Sequence, residues 1–161
     1  MDVVEAARPA TALDAAAVVA LAARQERELG PMRGGALWSA THRLSPNSEG
    51  TVTAMLADPD LAVFVGTIDD AVVGFAVLGV RTLRTGERLA TVHELFVEAD
   101  ARAVGVGEAM VEQVLGRARR AGCVGVDAGV LPGHRAAKNF FEGSGFTARA
   151  LTMHHSLVED S

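Results

Sequence analysis

The sequence predicts one mixed α/β domain, with a mostly antiparallel central sheet flanked by helices. Two patterns carry this prediction. The first 60 residues favour helices, whereas the later residues alternate short β-branched runs with turns and two helical segments. A chain of 161 residues, 49% of them apolar, fits a single globular domain spanning residues 1–161.

The first part of the chain predicts a short strand followed by three helices. Thr11 with Asp14 three positions later is typical of a capping box at a helix start. The predicted elements are a strand at 3–8, a helix at 13–28 that ends at Gly30-Pro31, a helix carrying Leu37, Trp38 and Leu44, and a helix at 51–56.

The middle of the chain predicts three consecutive antiparallel strands. The apolar runs 61–67 and 71–80 are separated by Asp69-Asp70, which is typical of a hairpin turn. A turn over 84–87 then leads into a strand at 89–97.

The last part predicts alternating helices and strands. One buried helix face is expected to hold Met110, Val111, Val114, Leu115 and Ala118, and Gly122 ends that helix. A strand at 124–130, a helix at 135–142 and one or two closing strands within 146–157 follow. This order predicts a parallel strand pair.

Charge and cysteine content exclude several function classes. A net charge of −5 argues against nonspecific nucleic-acid binding, and no apolar stretch approaches the ~18 residues of a membrane span. The lone Cys123 cannot form an internal disulfide or a cysteine-based zinc site, and the start of the chain lacks a signal-peptide pattern. We therefore expect a cytoplasmic protein, and the apolar closing strands suggest a homodimer.

His154 and His155 would lie on opposite faces of a strand, which argues against a shared metal site.

The most informative segment joins the strand at 89–97 to the following helix. Gly105 and Gly107 stand at the head of this helix, where unpaired N–H groups can bind phosphate oxygens, and Arg102 can add a charged contact. A dinucleotide fingerprint would need glycine where Met110 stands, and the Gly-Lys-Ser/Thr ending of a Walker loop is missing.

The pattern Arg102-x-x-Gly105-x-Gly107 after a strand resembles the acetyl-CoA-binding motif of the GNAT N-acetyltransferase superfamily. The later pattern Ala137-x-x-x-Phe141-Glu142-x-x-Gly145-Phe146 is similar to that family's second helix and exit, and the order of elements agrees over most of the chain. The resemblance implies a GNAT-like acyltransferase fold with acetyl-CoA as cosubstrate.

The resemblance also implies a set of cofactor contacts. The main chain of Phe96 and Val97 would pair with the pantetheine arm. His134 stands where the family often has an asparagine that contacts CoA, and Asn139 is an alternative polar contact. Phe141 stands where many members place a tyrosine that protonates the leaving thiolate, and the chain contains no tyrosine. The pyrophosphate would be held by the segment from Arg102 to Glu108, with Val104, Gly105, Val106 and Gly107 between them.

Two carboxylates are candidate general bases. Glu94 interrupts an apolar strand, at a position where several family members carry a base that often acts through water; the alternative is a carboxylate on an exposed strand face. His93 would face the opposite way unless a bulge intervenes. Asp127 alternates with Gly125 and Gly129, so it lines either an amine-binding wall or a face covered by a helix.

These features predict transfer of an acetyl group from acetyl-CoA to a primary amine, by direct attack in a ternary complex. The acceptor is a small metabolite, an antibiotic or a protein amine. The absence of tyrosine favours an alternative, a CoA-binding sensor or assembly module with weak or no transferase activity. A nucleotide-binding α/β protein is a third interpretation.

Overall fold

A computed structural model describes residues 3–41, 44 and 46–158. The chain forms one five-stranded sheet with the strands in sequence order from β1 to β5. The strands are β1 (Glu5–Pro9), β2 (Leu61–Ile68), β3 (Ala71–Thr82), β4 (Arg88–Val97) and β5 (Cys123–Ala128). The helices are α1 (Ala15–Leu29), α2 (Gly35–Thr41), α3 (Glu49–Ala57), α4 (Val106–Arg120) and α5 (Arg135–Gly143).

The sheet is antiparallel from β1 to β4 and parallel between β4 and β5, as the sequence predicts. The predicted hairpin turn is confirmed, because Asp69 and Asp70 both have left-handed backbone angles (φ +48° and +69°). Two left-handed residues give a turn whose twist matches that of the flanking strands.

The core is divided between the two faces of the sheet. Helices α1 and α3 cover one face and pack on Val63, Val65, Phe75 and Val77. We call this the α1 face. Helix α4 covers the other face, which we call the α4 face. The residues that it buries there are those that its helical periodicity predicts, except that Leu115 is only partly buried.

The closing strands predicted within 146–157 are wrong. This segment has no regular secondary structure, and Leu151, Met153 and Leu157 are 87%, 88% and 93% exposed. An alternating apolar pattern forms a strand only when a neighbouring strand supplies hydrogen bonds and a face to bury, and this segment is not paired with β5. Leu44 also lies outside α2, which ends at Thr41 among the described residues.

Asp14 fixes the start of α1. Its buried carboxylate accepts hydrogen bonds from the Thr11 N–H (2.8 Å) and from both terminal nitrogens of Arg8 (2.7 and 2.9 Å). The predicted pairing of Thr11 with Asp14 is therefore confirmed. The hydrogen bonds from Arg8 hold the pKa of Asp14 below its ordinary 3.8.

We expect Asp14→Ala to lower the free energy of unfolding by about 1–2 kcal/mol at pH 7, because it removes the capping-box acceptor of the Thr11 N–H and the partner of Arg8. The pKa of Asp14 is lower in the folded state, so its stabilisation is fully present above the ordinary value of 3.8 and is lost as the pH falls through the folded value. Urea unfolding from pH 7 down to pH 3 should therefore show the two proteins converging in acid. Glu112→Ala, on the exposed surface of α4, is the control, and an equal effect there would contradict the assignment.

Candidate active site

A β-bulge at His93 changes the direction of the side chains along β4. Val77 of β3 pairs with Glu94 and Leu78 pairs with Val92, so His93 is the extra residue. Before the bulge Val92 packs on the α4 face, but after it Phe96 packs on the α1 face. Glu94, two residues before Phe96, therefore points to the α1 face.

His93 lies on the same face as Glu94. A Cβ atom added to Gly79 would stand 2.4 Å from His93 Nε2, which places the imidazole directly over Gly79, two residues along β3 from Val77 of the α1 face. The sequence excluded a shared face for His93 and Glu94 unless a bulge intervened, and the structure contains that bulge.

Glu94 is 2% exposed, so the interpretation of a carboxylate on an exposed strand face is wrong. His93 is half-buried, and desolvation lowers the pKa of its imidazole below the ordinary 6.5. The ring therefore stays neutral at pH 7. Both side chains are shielded from bulk water on the same face of the sheet, a setting in which general bases occur.

Asp127 has a different environment. Both of its carboxylate oxygens accept hydrogen bonds from Arg149, one of them from Nε at 2.7 Å. These bonds hold the pKa of Asp127 below its ordinary 3.8, which makes the carboxylate a poor proton acceptor at neutral pH. The side chain that contacts Asp127 is an arginine from the segment after α5.

The strands β4 and β5 separate beyond the bulge. Their pairing extends from Arg88 to Val92 on β4, whereas β4 remains paired with β3 as far as Val97. The side of residues 93–97 that faces away from β3 is therefore an open strand edge. The Val97 carbonyl points to this edge, whereas the main-chain groups of the adjacent Phe96 face β3. An open edge of this kind can accept an extended ligand as an additional strand.

The turn between β4 and α4 presents main-chain N–H groups. Ala103 and Gly105 have left-handed angles (φ +65° and +98°), and alternation of this kind forms concave sites for anions. The first helical hydrogen bond of α4 runs from the Ala109 N–H to the Gly105 carbonyl (3.0 Å), so the N–H groups of 106–108 precede the helical ladder. We call residues 103–108 the amide turn.

The side chains of the amide turn fit this arrangement. Val106 is 1% exposed and belongs to the core under α4, so it can contribute only main-chain atoms. Val104 is 44% exposed and Glu108 is also on the surface. Gly107 lies against helix α5, because an added Cβ would stand 2.8 Å from the Phe140 ring. This glycine therefore lets α5 approach the start of α4 closely.

Arg102 does not extend over the amide turn. Its terminal nitrogens bind both carboxylate oxygens of Glu28 on α1 (2.8 and 2.6 Å), and its Nε donates to the Val97 carbonyl (2.9 Å). The guanidinium also lies over the Phe96 ring, 5.4 Å from its centre. The pairing with Arg102 lowers the pKa of Glu28, so the pair is charged at neutral pH. Arg102 is therefore held by Glu28 and Val97 in this structure, and its contact with phosphate stays a prediction.

Helix α5 closes the far side of the site. Phe141 is 9% exposed and makes edge-on contacts with Phe140 and Phe146 (ring centres 5.2 and 5.1 Å apart). His134 precedes the first turn of α5 and lies close enough to Glu28 to help lower the pKa of that carboxyl. Asn139 is exposed on the same helix.

Sequence reasoning missed Glu28 and Arg149, which hold two of the candidate residues. Glu28 is 74 positions from Arg102 and Arg149 is 22 positions from Asp127. No motif marks either partner, and only the folded chain brings them together.

A cavity of about 220 Å³ lies between α1 and the end of β4. Its lining includes the carboxylates of Glu28, Glu98 and Asp100 and one basic side chain, Arg24, which pairs with Glu98. Glu28 is paired with Arg102 and Glu98 with Arg24, so Asp100 gives the cavity one net negative charge, which suits a cationic ligand better than an anionic one. We call it the acidic cavity.

Comparison with known proteins identifies the family to which the sequence is similar. Residues 34–146 match the model of the acetyltransferase (GNAT) family. No curated protein matches the chain by sequence. No helix among the described residues is long and apolar enough to cross a bilayer.

Three solved structures show the same fold at low sequence identity. A putative acetyltransferase from Agrobacterium tumefaciens is 22% identical, with a TM-score of 0.71 over 94% of this chain and 99% of that one. An aminoglycoside N-acetyltransferase in complex with CoA is 15% identical, with a TM-score of 0.73 over 98% of each chain. An aminoglycoside acetyltransferase from an uncultured soil metagenomic sample, in complex with sisomicin, is 16% identical, with a TM-score of 0.69 over 97% of each. The family match covers more than half of the chain, which therefore belongs to the GNAT acetyltransferase family.

Proposed function

We propose that the protein transfers an acetyl group from acetyl-CoA to a primary amine, by direct attack in a ternary complex. The observation that carries this proposal is the continuity of two binding features, because the open edge of β4 leads directly into the amide turn. An extended amide-bearing arm followed by a diphosphate matches that order of features.

The cofactor would lie along β4 with its diphosphate on the amide turn. The pantetheine arm would pair with the main chain of Val97, and the N–H groups of 103–108 would bind the phosphate oxygens. The Val97 carbonyl already accepts a hydrogen bond from Arg102 Nε, so an amide of the arm would replace that donor. Arg102 would then be free to bind phosphate, as the sequence predicts, or would remain with Glu28. His134, Asn139 and Phe141 would border the arm from α5.

Glu94 is the proposed general base. An amine of pKa ~10 is protonated at neutral pH and must lose a proton before it attacks the thioester carbonyl. Glu94 would accept this proton, directly or through water, from the α1 face beside the open edge. Neutral His93 is the second candidate on that face. Asp127, held by Arg149, is less suited to this role.

The departing thiolate requires no tyrosine in this scheme. A thiol of pKa ~8.5 is a tolerable leaving group, so the bond from sulfur to the acetyl carbon can break without an acid. Phe141 provides no proton and is buried among other aromatic rings.

A cationic amine is the proposed acceptor class. The acidic cavity beside β4 supports this choice, because Asp100 adds a negative charge to the two ion pairs Arg102–Glu28 and Arg24–Glu98. The structural relatives include enzymes that act on aminoglycosides, which are amine-bearing antibiotics. The charge supports cationic amines in general and favours no single compound.

The test is release of free CoA thiol from acetyl-CoA in the presence of a panel of polyamines, aminoglycosides and lysine peptides. Release that depends on the amine supports the transferase. The second candidate function, a CoA-binding sensor or assembly module, is supported by the absence of tyrosine at position 141. Tight CoA binding without thiol release for any amine would favour this sensor.

A further inference from the structure

We propose a second ligand site, for a small phosphate monoester with an apolar body, at the opposite end of α4 from the amide turn. A cavity of about 380 Å³ opens there between α4 and the first residues of β2. This volume lies in the range of small-molecule pockets. Because α4 has 15 residues, the two sites are separated by about 22 Å along the helix.

The charge of this cavity predicts an anionic ligand. Arg88, Arg117 and Arg120 line it together with one carboxylate, Asp60, which leaves two net positive charges. None of the three guanidinium groups forms a salt bridge within the described part of the chain. Two uncompensated positive charges match the charge of about −1.5 to −2 that a phosphate monoester carries at pH 7.

The placement of Arg88 supports a built site rather than loose surface arginines. Arg88 is half-buried, and its Nη1 donates to the Ala121 carbonyl at the end of α4 (2.9 Å). This bond fixes the guanidinium at the cavity and satisfies one of the carbonyls that a helix end leaves unpaired. Arg117 and Arg120, one helical turn apart, can bind oxygens of the same phosphate from the other side.

The floor of the cavity is apolar. Leu61, Ala62 and Val80 are partly buried and line the cavity beneath the arginines. Such a floor adds hydrophobic burial for a ligand that carries a ring or short hydrocarbon next to its phosphate. A phosphate monoester with an apolar body should therefore bind more tightly than inorganic phosphate.

Calorimetric titration of the full chain with phenyl phosphate, without CoA or amine, tests this site. We expect phenyl phosphate to bind more tightly than inorganic phosphate or benzoate, and the double variant Arg117→Ala/Arg120→Ala to bind it at least roughly tenfold more weakly. Arg119→Ala, an arginine of the same helical turn outside the cavity lining, is the matched control and should bind as the wild type does.

Amide chemical shifts in the same titration locate the ligand and separate this proposal from the transferase. Shifts confined to residues 60–62, 78–80, 88 and 117–121 support the second site. Absence of binding, equal losses in the double variant and in Arg119→Ala, equal affinity for benzoate, or shifts centred on the amide turn would each overturn it. Binding of acetyl-CoA to the double variant should be unchanged, so failure here leaves the proposed function standing.

Discussion

Glu94→Gln should lower the kcat of amine acetylation by about 10²-fold while leaving the Kd for CoA close to that of the wild type. The substitution keeps the size of a side chain that is 2% exposed and removes only its ability to accept a proton. The measurement is the pH dependence of kcat/KM. In the wild type the rate should fall in acid as the base becomes protonated, and the variant should lose this acid limb. An acid limb that persists in the variant would remove Glu94 from the role of base.

Two matched variants separate the candidates for the base. His93→Gln should keep the acid limb, because Glu94 is the proposed base; loss of the acid limb in His93→Gln would assign the role to His93 instead. Asp127→Asn makes the same carboxylate-to-amide change on the neighbouring strand, at a group that Arg149 already holds. It should change neither kcat nor the acid limb. If Asp127→Asn reproduced the loss seen with Glu94→Gln, the base would be on β5.

Gly105→Asp should weaken acetyl-CoA binding by about tenfold relative to Gly105→Asn, as measured by calorimetry. Both side chains tolerate the left-handed angle of φ +98° better than other residues do, and the two variants differ by one charge at the start of α4. The carboxylate would compete with the diphosphate for the N–H groups of the amide turn and would repel it.

The added carboxylate of Gly105→Asp also predicts the salt dependence of the affinity difference and the unfolding temperatures of the two variants. The difference in affinity should narrow as the salt concentration rises, because exposed charges are screened. Gly105→Asp should unfold at about the same temperature as Gly105→Asn, because aspartate and asparagine are about equally favourable as helix caps. An added Cβ would stand 3.1 Å from Glu5 Cγ, and this exposed side chain can move aside in both variants. Equal affinities of the two variants for acetyl-CoA would contradict the placement of the diphosphate.

The parts of the fold that the sequence predicts are those with local causes. The hairpin at Asp69-Asp70, the buried stripe of α4 and the turn before Val106 each depend on residues a few positions apart. The position of the motif around Gly105 and the free N–H groups at its helix start therefore follow from the sequence alone.

The parts that the sequence does not predict depend on contacts between distant residues. Arg102 pairs with Glu28 and Asp127 with Arg149, and no local pattern selects these partners. The bulge at His93 follows from the register between β3 and β4, so alternation along β4 alone misplaces His93 relative to Glu94. The segment after Phe146 has the alternation of a strand, but it remains exposed because no strand pairs with it.

Amide chemical shifts of the wild-type protein test the central claim most directly, since that claim concerns main-chain N–H groups. Titration with CoA should move the amide resonances of 103–108 most strongly. Adenosine diphosphate, which carries a diphosphate without the pantetheine arm, should move the same resonances. Acetyl-pantetheine, which carries no phosphate, should move those of 93–97 and leave those of 103–108 unchanged. Unchanged resonances at 103–108 in the presence of bound CoA would contradict the account.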